Sequence, residues 1–262
     1  MNQEKTKTAL ITGASSGIGE EFARQLARRG YQLILVARRQ DRLQALASEL
    51  DEKRNITVQV LPLDLATEEG TLRAEDCIRT TPDLELLVNN AGFGFSGYFG
   101  KIDISQHLKM IQVHVSASVR LTHAAIPGFI SKNRGGIINV ASVAAFVPWG
   151  NVTYNATKAY LVAFSEALNV EMRRKNVRVQ ALCPGFTETE FHDSPELSRI
   201  RNFPLPKSLW LSPEFVVAES LKALDRGKVI CIPGFLYWVI AGLGRSPLFS
   251  PFLRAAMIRR RR

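Results

Sequence analysis

Near its start the chain reads Thr8-Ala-Leu-Ile-Thr-Gly-Ala-Ser-Ser-Gly-Ile-Gly19, an apolar run of β propensity that leads into a glycine-rich turn. A helical pattern follows over residues 20–29 and stops at Gly30. Glycines let the backbone approach a pyrophosphate, whose charge is favoured by the N–H groups at the start of a helix. The spacing is G-x-x-x-G-x-G, not the commoner G-x-G-x-x-G. The predicted contact residues for a dinucleotide are Gly13, Ser15, Ser16, Gly17, Ile18 and Gly19.

Strands and helices alternate along most of the chain. We expect strands over residues 8–12, 32–37, 56–61, 84–88, 135–141, 177–183 and 229–232, and helices over residues 20–29, 41–53, 68–79, 105–129 and 154–175. Nearly all-apolar strands in this alternation predict a parallel sheet covered on both faces, a doubly wound α/β fold of the Rossmann type. We expect one cofactor-binding and catalytic domain over residues 1–232 and a C-terminal extension over residues 233–262.

The second predicted strand is followed by two arginines, Arg38 and Arg39. In a dinucleotide fold an acidic residue about 20 residues after the glycines holds the 2′-hydroxyl of the adenosine ribose. Arg38 has that place here, nineteen residues after Gly19. A guanidinium pairs with a 2′-phosphate through two hydrogen bonds, so the sequence favours NADP(H) over NAD(H). The alternative is that both arginines are solvated loop charges, with Asp41 capping the next helix.

Polar residues and glycines follow several of the other strands. Ligands of parallel sheets bind at the carboxyl ends of the strands, so these residues are expected near the glycine-rich turn. They are Asp64, Leu65, Asn90, Ala91, Gly92, Ser142, Pro184 and Gly185.

Tyr154 and Lys158 lie four residues apart at the start of an apolar helix. This spacing puts both side chains on one helical face. A free tyrosine has a pKa near ~10, and an adjacent ammonium group lowers it. We therefore expect a lowered pKa for Tyr154, which would make it a general acid or base at neutral pH. The alternative is an ordinary pair of residues on a helix surface.

Together these motifs resemble those of the short-chain dehydrogenase/reductase family over residues 8–230. The matching residues are Thr12-Gly-Ala-Ser-Ser-Gly-Ile-Gly19, Asp64, Asn89-Asn-Ala-Gly92, Ser142, Tyr154-Asn-Ala-Thr-Lys158 and Pro184-Gly185. The resemblance implies hydride transfer between a nicotinamide and a carbonyl or alcohol carbon. It also implies a homodimer or homotetramer, because in this family the Tyr154 helix and the long helix before it often form a dimer interface.

The resemblance also assigns roles to the matching residues. Tyr154 would be the general acid in reduction and the base in oxidation, Lys158 would lower its pKa and hold the nicotinamide ribose, and Ser142 would donate a hydrogen bond to the substrate oxygen. The other implied cofactor contacts are Asp64 at the adenine, Asn90 and Gly92 along the cofactor, and the Pro184-Gly185 turn with Thr187 or Thr189 at the carboxamide.

His114 departs from the family pattern, which has an asparagine at this position of the long helix. The role usually given to the asparagine is to hold a water that links the lysine to bulk solvent. A histidine could hold such a water or carry the proton itself, since its pKa lies near neutrality. It could equally be a plain substitution that weakens turnover. Both readings stay open at this point.

Composition and charge argue against a nucleic-acid-binding protein, a metalloprotein and a secreted protein. The 262 residues carry a formal net charge of +10, with four consecutive arginines at the end, Arg259 to Arg262, but no aromatic-plus-basic nucleic-acid motif. The three cysteines have no metal-ligand spacing and the four histidines form no metal-binding motif, so we expect no metal site. The polar N-terminus is not a secretory signal, and we expect a cytoplasmic protein with reduced thiols.

An irregular segment over residues 186–212 is rich in phenylalanine, leucine and isoleucine, and in this fold such a segment covers the substrate. Its large apolar residues include Phe191, Leu197, Ile200, Phe203 and Trp210, and Phe93 and Phe95 add aromatic surface nearby. An apolar lid suits an apolar substrate, which leaves steroid-like, retinoid-like and 3-oxoacyl compounds open. The alternative is that these side chains simply pack the lid onto the domain.

The C-terminal extension has an uncharged, aromatic-rich start and an arginine-rich end. The uncharged stretch is shorter than the ~20 residues that span a bilayer, and prolines and glycines interrupt it. Apolar side chains followed by arginines suit contact with an anionic membrane surface. A competing interpretation is an arm that packs on a partner subunit.

Two functions from different classes follow from the sequence. The first is an NADP(H)-dependent carbonyl reductase or alcohol dehydrogenase. The second is a non-catalytic nucleotide-binding protein that acts as a redox sensor or scaffold, which His114 keeps open. Retention of Ser142, Tyr154 and Lys158 argues for the enzyme.

Overall fold

The computed structural model describes residues 6–54, 56–147, 151–192, 206 and 209–246. Residues named above that lie outside these ranges are Leu197, Ile200 and Phe203 of the predicted lid and the arginine cluster of the C-terminal extension.

Seven parallel strands form one sheet in the order β3-β2-β1-β4-β5-β6-β7, which confirms the predicted doubly wound fold. The strands are β1 (Thr8–Thr12), β2 (Gln32–Ala37), β3 (Val58–Pro62), β4 (Leu84–Asn89), β5 (Gly135–Val140), β6 (Val177–Leu182) and β7 (Ile230–Cys231). The strand order reverses between β1 and β4. The carboxyl ends of these two strands therefore form the crevice in which such sheets bind ligands.

Helices lie on both faces of the sheet. The α-helices of the described residues are α1 (Gly17–Arg28), α2 (Gln40–Arg54), α3 (Glu68–Arg79), α4 (Ile104–Ile111), α5 (Ala117–Ser131), α6 (Val152–Met172), α7 (Pro213–Asp225) and α8 (Phe235–Arg245). Phe22 of α1 and Phe129 of α5 are fully buried in the hydrophobic clusters of the two opposite faces. Each buried aromatic side chain of this kind contributes about 1.5–3 kcal/mol, so the sheet is held from both sides.

The long helix predicted over residues 105–129 is interrupted. A π-helical turn, Gln112–Ser116, separates α4 from α5. Such a turn inserts one residue into the helix and re-aims the side chains that follow, and it is common at functional sites. Here the turn contains His114, which is buried.

Helices α7 and α8 were not predicted from the sequence. The start of α7 has a readable signal, since Ser212 caps the helix by accepting a hydrogen bond from the Phe215 N–H (3.2 Å) and Pro213 is its first residue. The uncharged start of the C-terminal extension forms α8. Strand β7 has only two residues, so the seventh predicted strand is shorter than expected.

Candidate active site

The glycine-rich turn is fixed to the turn that follows β4. The Thr12 hydroxyl accepts hydrogen bonds from the Asn90 and Ala91 N–H groups, both at 2.9 Å. The Asn90 side chain donates in return to the carbonyl oxygens of Thr12 (2.9 Å) and Gly13 (3.1 Å). A Cβ on Gly13, which has a φ of +66°, would lie 2.8 Å from the Asn90 Nδ2. The two turns therefore meet in close backbone contact that only glycine permits.

The start of α1 is free to receive an anion. Ser16 is the N-cap residue in extended conformation, but its side chain makes no capping hydrogen bond. The N–H groups of the first helical turn, Gly17 to Gly19, therefore keep their donor capacity, and the helix dipole favours negative charge there. A glycine-lined turn at the switch point with free helix donors fits the pyrophosphate of a dinucleotide.

Arg39 turns back onto the glycine-rich turn at the end of β2. Its guanidinium donates to the Ser15 hydroxyl and carbonyl oxygens, each at 3.2 Å, and pairs with Glu190 at 2.9 Å. Arg38 is exposed, and among the residues that the structure describes its guanidinium forms no ion pair. A basic pair therefore lies where the adenosine ribose of a dinucleotide would bind.

The turn after β3 supplies two further predicted contacts. One Asp64 carboxylate oxygen accepts a hydrogen bond from the Ala66 N–H (3.0 Å), and the carboxylate is only half-buried. Leu65 is buried with its side chain in the hydrophobic core. Only the backbone of Leu65 could contact a cofactor, whereas the Asp64 side chain can.

Tyr154, Ser142 and Lys158 come together at the carboxyl ends of β5 and β6. Asn151 caps α6 by accepting from the Tyr154 N–H at 3.0 Å, which sets the start of the helix. The Ser142 hydroxyl lies within hydrogen-bonding reach of the Tyr154 side chain. The Lys158 ammonium lies 5.6 Å from the centre of the Tyr154 ring and donates to the Val140 carbonyl oxygen at 2.7 Å.

The expected lowering of the Tyr154 pKa is not found. Burial raises the pKa of Tyr154 to about 12, and the hydrogen bond from Ser142 offsets only part of that rise. Burial likewise lowers the pKa of Lys158 to about 8. The predicted lowering is wrong because the four-residue spacing shows only that the two side chains are close in space. The removal of water around the phenol, which raises its pKa, depends on the tertiary structure and cannot be read from the spacing. Tyr154 is therefore a protonated phenol at neutral pH.

His114 is held at both ring nitrogens. The Thr157 hydroxyl donates to the Tyr154 carbonyl oxygen (2.9 Å), so it accepts from the His114 Nδ1–H at 3.0 Å. The Nε2 then accepts from the Phe93 N–H at 3.0 Å. Burial, together with the nearby charge of Lys158, lowers the pKa of His114 well below its ordinary value. The imidazole is neutral and joins the π turn to α6 and to the segment after Gly92.

The Pro184-Gly185 turn is held by a residue that sequence reasoning missed. The Tyr237 ring of α8 packs on Gly185, and its hydroxyl accepts from the Phe186 N–H (3.1 Å) and donates to the Leu209 carbonyl oxygen (2.5 Å). No local signal marks Tyr237, because its partner Phe186 lies 51 residues away in the sequence. In the sequence, Tyr237 is visible only as one aromatic residue within an apolar stretch.

The two threonines of this segment have different surroundings. Thr187 is buried and donates to the Gly185 carbonyl oxygen at 3.1 Å. Thr189 lies over the glycine-rich turn, since a Cβ on Gly17 would be 2.8 Å from its methyl group. Thr189 is therefore closer to the cofactor path than Thr187.

Two aromatic rings lie beside the Tyr154 ring. His114 and Phe191 lie with ring centres 5.8 Å and 6.1 Å from that of Tyr154, and Phe93 packs edge-on against His114. Phe95 is buried against His107 and belongs to the core instead. His114 and Phe191 are thus aromatic neighbours of Tyr154, and Phe93 is an aromatic neighbour of His114.

A buried network of amide groups supports this site and was also missed. The Asn89 side chain of β4 donates to the Asn139 Oδ1 of β5 at 2.8 Å and to the Thr122 hydroxyl at 3.0 Å. The Asn139 amide then donates to the Ser165 hydroxyl of α6 at 2.9 Å. These bonds fix β4 and β5 to the helix that carries Tyr154.

No group of three or more histidine, cysteine, aspartate or glutamate side chains is placed to hold a metal ion within the described ranges. Nor is any described helix long and apolar enough to cross a membrane.

Half-buried Tyr154 and Ser142 next to buried Lys158, at the same sheet edge as the dinucleotide turn, define the class of nicotinamide-dependent oxidoreductases. The family model described as short chain dehydrogenase matches residues 7–197, and the chain belongs to that family.

Known proteins similar to this chain point to the same chemistry. The very-long-chain 3-oxoacyl-CoA reductase of Macaca fascicularis is 30% identical over 90% of this chain and 75% of its own length. A short-chain dehydrogenase from Sphingobium yanoikuyae, solved in complex with NADPH, is 34% identical with a TM-score of 0.82 over 93% of this chain and 95% of that one. The bulky-bulky ketone specific alcohol dehydrogenase of Comamonas testosteroni is 33% identical, with a TM-score of 0.80 over 94% of both chains.

Proposed function

We propose that this chain reduces an apolar ketone or aldehyde with NADP(H), with Tyr154 as the general acid. The observation that carries the proposal is the grouping of Tyr154, Ser142 and Lys158 at the carboxyl ends of β5 and β6, with the Lys158 ammonium 5.6 Å from the centre of the Tyr154 ring. A protonated phenol can give a proton to the alkoxide that develops when a carbonyl carbon is reduced. The raised pKa of Tyr154 keeps this proton on the phenol until an alkoxide develops beside it.

Each residue of this group has one step in the proposed reaction. The nicotinamide of the cofactor supplies the hydride. Ser142 donates a hydrogen bond to the substrate oxygen while Tyr154 transfers its proton to that atom. The charged Lys158, below its pKa of about 8, then stabilises the phenolate that remains.

We propose that His114 positions this group and does not carry the proton. Both ring nitrogens already have hydrogen-bond partners, and the lowered pKa keeps the imidazole neutral. A proton relay through the ring would have to break the hydrogen bond to Phe93 or to Thr157. A positioning role explains why a histidine is tolerated at a place where the family has asparagine.

The choice of NADP(H) rests on the basic residues after β2. Arg38 would pair with the 2′-phosphate, and Arg39 would hold the glycine-rich turn through Ser15 while adding positive charge. The NADPH in the similar Sphingobium yanoikuyae structure supports this choice. The remaining proposed contacts are Gly13, Ser16, Gly17, Ile18 and Gly19 at the pyrophosphate, Asp64 and the Leu65 backbone at the adenine, Asn90, Ala91 and Gly92 along the cofactor, Tyr154 and Lys158 at the nicotinamide ribose, and Pro184, Gly185, Thr187 and Thr189 at the carboxamide.

The substrate is proposed to be apolar and bulky. Its reactive oxygen would lie near Tyr154, between the aromatic rings of Phe93, His114 and Phe191. The names of similar proteins include a very-long-chain 3-oxoacyl-CoA reductase and a bulky-bulky ketone specific alcohol dehydrogenase, which agree with such a pocket. Steroid-like, retinoid-like and 3-oxoacyl compounds are the candidate classes.

Two surfaces support proposals about partners. Exposed apolar side chains on α4 and α6, among them Ile104, Leu108 and Tyr160, favour a homodimer or homotetramer through these helices. Helix α8 exposes Phe235, which is 80% exposed, and Trp238, which is 61% exposed. Their stacked rings and the arginine-rich sequence that follows favour contact with an anionic membrane surface.

The test of this function is NADPH oxidation, with NADH in parallel, against bulky ketones, aldehydes and 3-oxoacyl thioesters. We expect turnover with NADPH and the highest kcat/KM with a bulky apolar carbonyl. Tight NADPH binding with no turnover on any compound would favour the non-catalytic alternative, and His114→Asn would then show whether the family residue restores activity.

A further inference from the structure

Glu190 joins the segment after the Pro184-Gly185 turn to the end of β2. Its carboxylate pairs with Arg39 at 2.9 Å and with Arg42, in the first turn of α2, at 3.4 Å. Glu190 follows Thr189 directly, and Thr189 lies over Gly17. The segment therefore crosses the glycine-rich turn from the catalytic side and places one carboxylate at the adenosine side.

We propose that Glu190 sets the affinity for the 2′-phosphate, because it occupies two guanidinium groups for which that phosphate competes. The inference rests on the proposed use of NADP(H). A phosphate monoester carries about −1.5 to −2 charge at pH 7 and accepts strong hydrogen bonds from arginine. Bound near Arg38, it would face a carboxylate already held by Arg39 and Arg42. The phosphate must then share those arginines or displace Glu190, and it is repelled by the carboxylate until it does.

The exposure of the three side chains makes the exchange feasible. Arg39, Arg42 and Glu190 keep 42%, 52% and 43% of their side chains in solvent. Ion pairs this exposed are weak and are screened by salt. Glu190 therefore lowers the affinity for the 2′-phosphate without preventing its binding. The affinity for a cofactor that lacks the phosphate depends little on Glu190.

A charge-neutral variant tests the inference, and a matched control lies two residues away. Glu188 is exposed and forms no ion pair among the described residues. Glu190→Gln and Glu188→Gln thus remove the same charge from the same segment, but only the first releases Arg39 and Arg42. The dissociation constants of NADPH and NADH are measured by calorimetry for the full chain and both variants, at low and at high ionic strength.

We expect Glu190→Gln to tighten NADPH about threefold to tenfold at low ionic strength, to change NADH less than about twofold, and to lose most of the gain in high salt. Glu188→Gln should leave the ratio of the two constants unchanged. If the unmodified chain prefers NADPH but Glu190→Gln matches Glu188→Gln or weakens NADPH, this inference is wrong and the cofactor choice stands. If the unmodified chain binds both cofactors equally, the cofactor choice is wrong as well.

Discussion

At the catalytic end of the cleft the charged group is buried, whereas at the adenosine end the charges stay half in solvent. Lys158 has only 5% of its surface exposed, and burial moves its pKa to about 8. Arg39 and Glu190, about half exposed, form an ordinary ion pair. The comparison teaches that charged side chains differ in what they can do according to their exposure. In the proposed function, burial adjusts proton transfer at the catalytic end, and exposed charge adjusts the choice of cofactor at the adenosine end.

The largest expected effect comes from removing the proton donor at the buried end. Tyr154→Phe should lower kcat by about 10²–10⁴-fold, since it removes the proposed proton donor to the substrate oxygen. The dissociation constant of NADPH should change less than about threefold. Tyr160→Phe, on the same helix but exposed, is the control. Turnover that survives in Tyr154→Phe would contradict the proposed mechanism.

Removing one charge from the adenosine end should weaken the binding of NADPH much more than the binding of NADH. Arg38→Ala should weaken NADPH about 10- to 100-fold, the value of a lost charge-assisted hydrogen-bond pair, and NADH less than about twofold. Arg39→Ala should weaken both cofactors, because Arg39 also holds Ser15 of the glycine-rich turn. Binding titrations measure both. Equal losses of NADPH and NADH in Arg38→Ala would refute the role of Arg38.

The buried charge of Lys158 at the catalytic end should lower the free energy of unfolding, by an amount that depends on pH. The Lys158 pKa falls from an ordinary 10.5 to about 8, which corresponds to about 3 kcal/mol of destabilisation while the lysine is charged. Lys158→Met should therefore raise Tm by about 5 °C at pH 7, after allowance for the hydrogen bond lost at Val140. As the pH rises, Lys158 loses its proton near pH 8 in the folded chain but only near pH 10.5 in the unfolded chain. The unmodified chain therefore gains stability between these pH values, and the Tm advantage of Lys158→Met disappears.

Thermal unfolding of both chains at pH 7 and near pH 10.5 gives this comparison directly. Lys222→Met, at an exposed lysine of α7, is the control that should show no such pH-dependent gain. A Lys158→Met gain of the same size at both pH values would mean that packing, and not the buried charge, is responsible.

The smallest expected effect concerns the turn that lies between the two ends. Tyr237→Phe leaves the ring on Gly185 but removes the hydroxyl partner of Phe186 and Leu209. We expect a loss of about 1 kcal/mol of stability and cofactor binding weakened about threefold. Tyr98→Phe, at an exposed tyrosine, controls for loss of a phenol. Unchanged binding in Tyr237→Phe would show that α8 does not position the turn.

Sequence alone predicted the sheet and the order of the motifs, because buried parallel strands are apolar runs and the glycine-rich turn has a fixed spacing. It did not predict the break at Gln112–Ser116, since the apolar pattern continues through the π turn. It gave the wrong direction for the Tyr154 pKa, because burial is a tertiary property. The contacts of Tyr237 and Glu190 were missed for the same reason, as their partners lie far away in the sequence.

The position of Tyr237 has a consequence for shortening the chain. A chain cut after Ile232 keeps all seven strands but loses the side chain that packs on Gly185 and holds Phe186 and Leu209. Such a fragment should still form its sheet, but its affinity for the cofactor should fall because the turn proposed to bind the nicotinamide carboxamide is no longer held in place. In this protein α8 supports the Pro184-Gly185 turn through Tyr237, so a minimal enzyme would have to extend beyond the last described strand.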